Sequence, residues 1–185
     1  MACQLPLTTA RLLLRDFVED DWPAVHAYAS DPEVARYMIW GPNDQAASRA
    51  YILQKMMNQV AAPRTDFDLA VVLKATGELI GTCGLRISSP EERAAHLGYV
   101  FNRGLWGHGY ATEAARALLA FGFEQLELHR IFATCDAENA ASARVLEKIG
   151  MRREGHFRRN VWQKRQWRDT YCYALLEDEW REQTK

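Results

Sequence analysis

Apolar residues along this chain recur at two spacings, period two in some stretches and every third or fourth position in others, and the switches between them mark out the elements. Arg11 to Arg15 is a short apolar run after Thr8-Thr9 and reads as the first strand. Asp20-Asp21 predicts the cap of a helix from about Trp22 to Ser30, with Pro23 tolerated in its first turn. Asp31-Pro32 opens another short turn or helix. Gln45 to Ala61 carries apolar residues at Ala46, Tyr51, Ile52, Met56 and Val60, an amphipathic helix ended by Pro63. Phe67 to Leu73 and Leu79 to Ile87 predict two strands around the turn Ala75-Thr76-Gly77-Glu78. The polar turn Ser88 to Arg93 leads to a further strand, Ala95 to Phe101.

In the second half, Ala111, Ala114 or Ala115, Leu118 and Phe121 fall at helical spacing and predict a helix from Ala111 to Phe123. His129 to Asp136 is a strand built on Ile131, Phe132, Ala133 and Cys135. Strand, helix and strand in that order imply a parallel pair. Asn139 predicts an N-cap, Val145, Leu146 and Ile149 the buried stripe of the next helix, and Gly150 its left-handed close with Met151 beyond. Arg152 to Glu179 reads as a long β-hairpin. With no repeat, low-complexity segment or linker, residues 1–185 are read as one mixed α/β domain.

Composition narrows the function classes. The chain is 48% hydrophobic and 25% charged, an ordinary globular balance, and its net charge of −1 favours neither nucleic acid nor membrane as a partner. No apolar run approaches a bilayer span and no basic-then-apolar secretory pattern opens the chain, so a cytoplasmic protein is expected. Four cysteines, Cys3, Cys83, Cys135 and Cys172, lack Cys-x-x-Cys spacing, and the last three fall in apolar runs that read as buried thiols. His108 and His156 have no carboxylate or cysteine at metal spacing, so no metal is expected. The tail interleaves Arg152, Arg153, Arg158, Arg159, Lys164, Arg165 and Arg168 with Phe157, Trp162 and Trp167. That is one pattern of a nucleic-acid surface. A hairpin with one solvated face is the favoured reading, and no nucleic-acid partner is expected.

Residues 96–113 carry the candidate chemistry. A strand-like run, Leu97 to Phe101, passes through Asn102-Arg103-Gly104 into Trp106-Gly107-His108-Gly109-Tyr110-Ala111 and then the helix. The first turn of a helix leaves N–H groups unpartnered and carries partial positive charge, and glycines admit an anion to the backbone. A phosphate or pyrophosphate is the fitting ligand. No lysine follows Gly109, which argues against a P-loop, and Thr112 stands where a dinucleotide fingerprint wants its third glycine.

The longer string Trp106-Gly-His-Gly-Tyr-Ala-Thr-Glu-Ala114 resembles the acyl-CoA pyrophosphate loop of the GNAT superfamily of N-acyltransferases. Asn139-Ala-Ala-Ser142-Ala-Arg-Val-Leu-Glu-Lys148-Ile-Gly150-Met151 resembles the second motif of its ribosomal-protein N-terminal acetyltransferase branch, as do Thr9-Ala-Arg11-Leu-Leu-Leu-Arg15 and Asp31-Pro-Glu-Val34. The resemblance spans nearly the whole chain. It implies a twisted mixed sheet of about six or seven strands with helices on both faces. It implies transfer of an acetyl group from acetyl-CoA to a primary amine, by direct attack in a ternary complex. The acceptor it implies is a protein N-terminal amino group, with small amines or antibiotics as the alternative.

The resemblance also distributes roles. The strand bearing Tyr99, Val100 and Phe101 would give backbone groups to the pantetheine arm, splaying from 130–136. Trp106 and the N–H groups of Gly107, His108, Gly109, Tyr110, Ala111 and Thr112 would hold the pyrophosphate. Asn139 and Ser142 match positions on the pantetheine and sulfur side, and Arg103 or Lys148 could reach phosphates. Tyr37, Met38 and Trp40, with Trp162 of the hairpin, are acceptor-binding candidates, although Tyr37 to Pro42 equally reads as core. Dimers are common in that family, and no feature here fixes an interface.

Acetyl transfer needs a neutral amine, a stabilised carbonyl oxygen, a stabilised leaving thiolate and held reactants. Many family members carry glutamate as base immediately before the Leu/Ile-Gly-Tyr strand; this chain has His96, whose neutral imidazole can do the same. The tyrosine used elsewhere as general acid falls at Leu146, leaving Ser142 as the matching hydroxyl near the sulfur. Glu154 reads as a solvated hairpin glutamate, and Glu113 as a first-turn acid complementing the helix dipole. A non-catalytic acyl-CoA sensor is the rival reading.

Overall fold

The computed structural model describes residues 4–184, so Cys3 lies outside the described residues. Eight strands form one sheet: β1 (Leu7–Thr8), β2 (Leu12–Arg15), β3 (Asp66–Leu73), β4 (Leu79–Ser89), β5 (Ala94–Phe101), β6 (Arg130–Asp136), β7 (Arg152–Gln163) and β8 (Gln166–Leu176). Their order is β1-β2-β3-β4-β5-β6-β8-β7. The helices are α1 (Trp22–Ala29), α2 (Pro32–Ala35), α3 (Gln45–Gln59), α4 (Tyr110–Ala120), α5 (Ala140–Lys148) and α6 (Glu177–Gln183). The eighth strand, beyond the expected six or seven, is the short Leu7–Thr8, which pairs with Leu14 and Leu13.

Alternation along β5 divides the core. Ala95, Leu97 and Phe101 are buried with Ala114, Leu118, Ile131 and Leu146, the apolar faces of α4, β6 and α5. Val100 packs on the other face, where Phe17, Val25, Tyr28, Ile52 and Val72 pack α1 and α3 against the sheet. A period-two strand between two helical layers thus serves two cores. A polar layer lies within the second: Lys55 sits 3.0 Å from Asp66 and 2.8 Å from Asp68, and Tyr28 bonds Thr82 at 2.7 Å.

The β5–β6 pair is parallel, as the strand–helix–strand order implies, and it is short. Only Ala94↔Arg130, Ala95↔Ile131 and His96↔Phe132 are in register. Beyond them β5 stays paired with β4 to Phe101, and β6 with β8 to Asp136. Each strand follows its outer neighbour, and a wedge opens between residues 97–101 and 133–136.

Local signals succeeded unevenly. Asn139 caps α5 through its side-chain oxygen on the Ser142 N–H at 3.1 Å, and Gly150 ends that helix at φ +88°. Asp21 is no side-chain cap: its buried carboxylate takes Arg15 at 2.7 and 2.8 Å and the Val18 N–H at 2.9 Å. The expected helix to Phe123 ends as α4 at Ala120 and continues as a π turn, Phe121–Gln125. A Cβ on Gly122 there would stand 2.7 Å from Ile131 Cδ1, so the wider turn packs against the sheet only because this residue is glycine. Cys83 and Cys135 are buried as expected, whereas Cys172 is only half-buried: it stands on the face of β8 opposite the core residues Tyr173 and Leu175, beside Gly155, which has no side chain to cover it.

Candidate active site

The wedge and the loop after β5 form one site. Gly107 and Gly109 lie at φ +82° and +81°, the left-handed region where a side chain is strained. The first helical bond of α4 is Glu113 N–H to the Gly109 carbonyl at 3.0 Å. Among the described residues, the N–H groups of Gly107 to Thr112 take no intramolecular acceptor. No heavy atom lies within 4 Å of where a Cβ of Gly107 would be. An open arc of donors at a helix N-terminus can hold a pyrophosphate.

The loop is braced on both sides. Trp106 Nε1 donates to the Phe101 carbonyl at 2.9 Å. Arg11 donates to the His108 carbonyl at 3.0 Å, lies 4.4 Å over the Tyr110 ring and meets Glu113 through Nε at 2.7 Å. Thr9 Oγ1 gives Glu113 a further bond at 2.6 Å. Burial alone would raise the Glu113 pKa, but the bonds from Thr9 and Arg11 hold it below the ordinary value. Glu113 therefore does more than complement a dipole: it ties α4 to the first strands. The sequence reading missed this tie, and Thr9-Ala-Arg11 was its only trace. Lys148 and Arg116 line the cleft beside Gly109, Thr112 and Glu113, and Arg116 bonds the Lys148 carbonyl at 2.7 Å. Arg103 turns away, its Nε 3.0 Å from Asp31.

At the wedge, Tyr99 reaches α5. Its hydroxyl is 2.9 Å from Ser142 Oγ and donates to the Ser142 carbonyl at 3.1 Å. His96 stands on the opposite face, Nε2 3.4 Å from Thr134 Oγ1 and its ring edge-on to Phe132 at 5.3 Å. Burial, reinforced by the Arg86 charge, holds its pKa below the ordinary value, so the imidazole is neutral at pH 7. A Cβ on Gly98 would meet only His96 Cε1, at 4.0 Å, so the floor beside the imidazole is open. Across β4, Asp68 lies over Gly84, where a Cβ would stand 2.4 Å from its Oδ1. Tyr51 at 3.0 Å and Lys55 at 2.8 Å occupy Asp68 Oδ2. Among the described residues no hydrogen bond reaches Oδ1.

This geometry is that of a known family. Residues 11–152 match the family described as Acetyltransferase (GNAT) domain. The chain is 39% identical over 174 residues to the uncharacterized N-acetyltransferase YnaD of Bacillus subtilis (strain 168), covering 94% of this chain and 98% of that one. The chain belongs to the GNAT acetyltransferase family. The crystal structure of a GNAT acetyltransferase from Bacillus anthracis superposes with a TM-score of 0.84 at 37% identity, covering 94% of this chain and 99% of that one. A ribosomal L7/L12 alpha-N-protein acetyltransferase, solved with coenzyme A, superposes with a TM-score of 0.84 over 95% of this chain and 99% of that one. At 18% identity that likeness shows the fold alone.

As a GNAT enzyme this chain is an acetyl-CoA-dependent acetyltransferase. Acetyl-CoA supplies the activated acetyl group, and the open N–H arc with two left-handed glycines fits its pyrophosphate. Among the described residues no group of three or more His, Cys, Asp or Glu is placed to hold a metal ion, and no helix is long and apolar enough to cross a membrane.

The remaining candidates divide. Gln163 Nε2 donates to the Met38 carbonyl at 2.8 Å and Lys164 Nζ to the Ala35 carbonyl at 2.5 Å, so the hairpin tip closes over the Tyr37–Met38 segment. Tyr37 lies 5.7 Å from the Arg168 guanidinium, which is locked on Asp136 at 2.6 and 2.7 Å. Trp40 packs against the second core cluster. Trp162 is exposed and meets Trp167 edge-on at 5.3 Å. His108 bonds the Trp106 carbonyl at 3.0 Å and stacks on Tyr110. Glu154 is paired with Arg130, which lowers its pKa and withdraws it as a base. Arg152 pairs with Glu179 at 2.8 Å and Arg153 covers Tyr171, so much of the basic tail is spent within the fold.

Proposed function

We propose that the acceptor is a primary amine that attacks acetyl-CoA directly in a ternary complex, with His96 taking the amine proton through a water molecule. The observation that carries this reading is the neutral imidazole beside the open floor of Gly98, on the face opposite the pyrophosphate loop. Amine and thioester can then approach from opposite faces, and the sheet keeps them apart until they meet in the wedge. Acetyl-CoA would lie with its pyrophosphate on the N–H groups of Gly107 to Thr112. Its pantetheine arm would pass along Tyr99, Val100 and Phe101 toward Asn139 and Ser142.

A protein N-terminal amino group is the acceptor class we favour. The exposed Trp162, on the hairpin whose tip Gln163 ties to the Met38 carbonyl, offers an extended peptide an apolar surface. A small cationic amine is the second reading, favoured by Asp68 Oδ1 over Gly84, which can pair with an incoming ammonium before it loses its proton.

Thiol release from acetyl-CoA, measured against N-terminal peptides and against polyamines, tests both. Turnover on peptides with little on polyamines is expected, and the reverse would transfer the assignment to small amines. Accumulation of a stable acetyl-enzyme with acetyl-CoA alone would contradict direct attack.

A further inference from the structure

The corner of the wedge where a leaving sulfur would come to rest lacks its usual proton donor. Leu146, 1% exposed, fills the position of the family's tyrosine. Tyr173 is no substitute, because its hydroxyl donates to Glu147 at 3.1 Å. The hydroxyls that remain are Ser142, in the first turn of α5, and Tyr99, from β5. They lie 2.9 Å apart.

Ser142 has one proton to donate; its hydroxyl also neighbours the weakly bonding Cys135 thiol, and Tyr99, the stronger partner at 2.9 Å, decides where the proton points. The Tyr99 hydroxyl can donate to the Ser142 carbonyl at 3.1 Å or to Ser142 Oγ at 2.9 Å, but not fully to both. In the first arrangement the Ser142 proton turns back to Tyr99 Oη and is lost to the cleft. In the second, Tyr99 fills a lone pair of Oγ and the Ser142 proton is free to face the wedge. The Ser142 backbone is fixed, its N–H held by Asn139 Oδ1 at 3.1 Å, so only the hydroxyls rotate. Burial keeps the Tyr99 phenol protonated, and it remains a donor throughout the ordinary pH range.

We propose that Tyr99 is a positioning residue for thiolate departure: it turns the Ser142 hydroxyl onto the coenzyme sulfur as negative charge develops there. The C–N bond forms as the C–S bond breaks, and the electron pair of the C–S bond goes to sulfur. Ser142 and Tyr99 both keep their protons and donate hydrogen bonds only. The amine proton leaves through the His96 side, and coenzyme A departs as a hydrogen-bonded thiolate. The inference rests on the reading that the coenzyme thiol end lies beside Ser142.

Free coenzyme A tests this without any acceptor. Its affinity for wild type, Tyr99→Phe, Ser142→Ala and the double variant is measured by calorimetry. The bound thiol is then titrated by thiolate absorbance, with the desulfo-coenzyme A complex as blank. A donor to the charged form lowers a thiol pKa, so the wild-type complex should titrate about one unit below each single variant. The double variant should lie no higher than the singles. Tyr99→Phe should bind with unchanged affinity, since its ring still packs, and should lose about tenfold in kcat without a change in KM for acetyl-CoA. Equal titration of the bound thiol in wild type and Tyr99→Phe overturns this inference alone. Failure of wild type to bind coenzyme A overturns the proposed function as well.

Discussion

Arg11 and Glu113 join the two ends of the site's scaffold. The guanidinium gives the carboxylate its Nε–H at 2.7 Å and the His108 carbonyl a second bond at 3.0 Å, so the first strands are tied to the loop before α4. Glu113→Ala should free the loop and raise the Kd for acetyl-CoA about tenfold, with some loss of stability from the lost Thr9 bond and the stranded Arg11 N–H. Calorimetric titration of the variant checks it. An unchanged Kd would mean that the loop holds its shape alone.

Gly107 and Gly109 should tolerate no side chain. Alanine at either would be held at positive φ at a strain of about 1–2 kcal/mol, and relief of that strain would turn the neighbouring N–H groups out of the arc. Gly107→Ala and Gly109→Ala should fold, lose thermal stability modestly, and lose most of the stabilisation by acetyl-CoA. Melting curves with and without the ligand separate the two effects.

The loop and the caps were legible because their signals are local. Glycine, a helix start and Asn139 or Gly150 at a helix end act within a few residues, and their backbone conformations followed as read. The braces were not legible. Arg11 and Glu113 are 102 positions apart, Tyr99 and Ser142 43, and Gln163 and Met38 125. No periodicity records which distant polar groups a sheet brings together. Asp21 failed as a cap for a different, local reason: Arg15, six positions back, competes for its buried carboxylate, and a bidentate bond from a guanidinium outweighs a single first-turn N–H bond.

In the proposed mechanism His96 sets the acid limb of the pH profile. The proposed base must be neutral, and its pKa lies below the ordinary 6.5, so kcat/KM, expressed per neutral amine to remove the acceptor's own titration, should rise with pH to a plateau already reached near that value. His96→Gln should lower kcat at least tenfold and remove that limb. The same depression means the unfolded chain takes the proton first, so stability should fall as pH drops below about 6.5. A limb above 6.5 that remains after the amine's titration is removed, or an unaltered limb in His96→Gln, would remove His96 as the base.

The hairpin tip trades local strain for closure. Lys164 and Arg165 occupy positive-φ turn positions at 48° and 64°, where Asn-Gly is the easier pair, while Lys164 holds the Ala35 carbonyl. Replacing them with Asn-Gly should leave stability level or raise it by up to about 1 kcal/mol. It should also raise KM for the amine several-fold and leave KM for acetyl-CoA unchanged. Steady-state kinetics with each substrate varied in turn checks the split, and a rise in the acetyl-CoA KM would place the tip on the wrong face.

The central claim is that the arc from Gly107 to Thr112 holds acetyl-CoA while an amine attacks from the His96 face. Thermal stability with and without acetyl-CoA, followed by thiol release against the amine panel, tests it most directly. The account predicts a rise in melting temperature that Gly109→Ala largely removes, and thiol release that depends on the amine. No rise in wild type would contradict it, for the loop would then be only a turn.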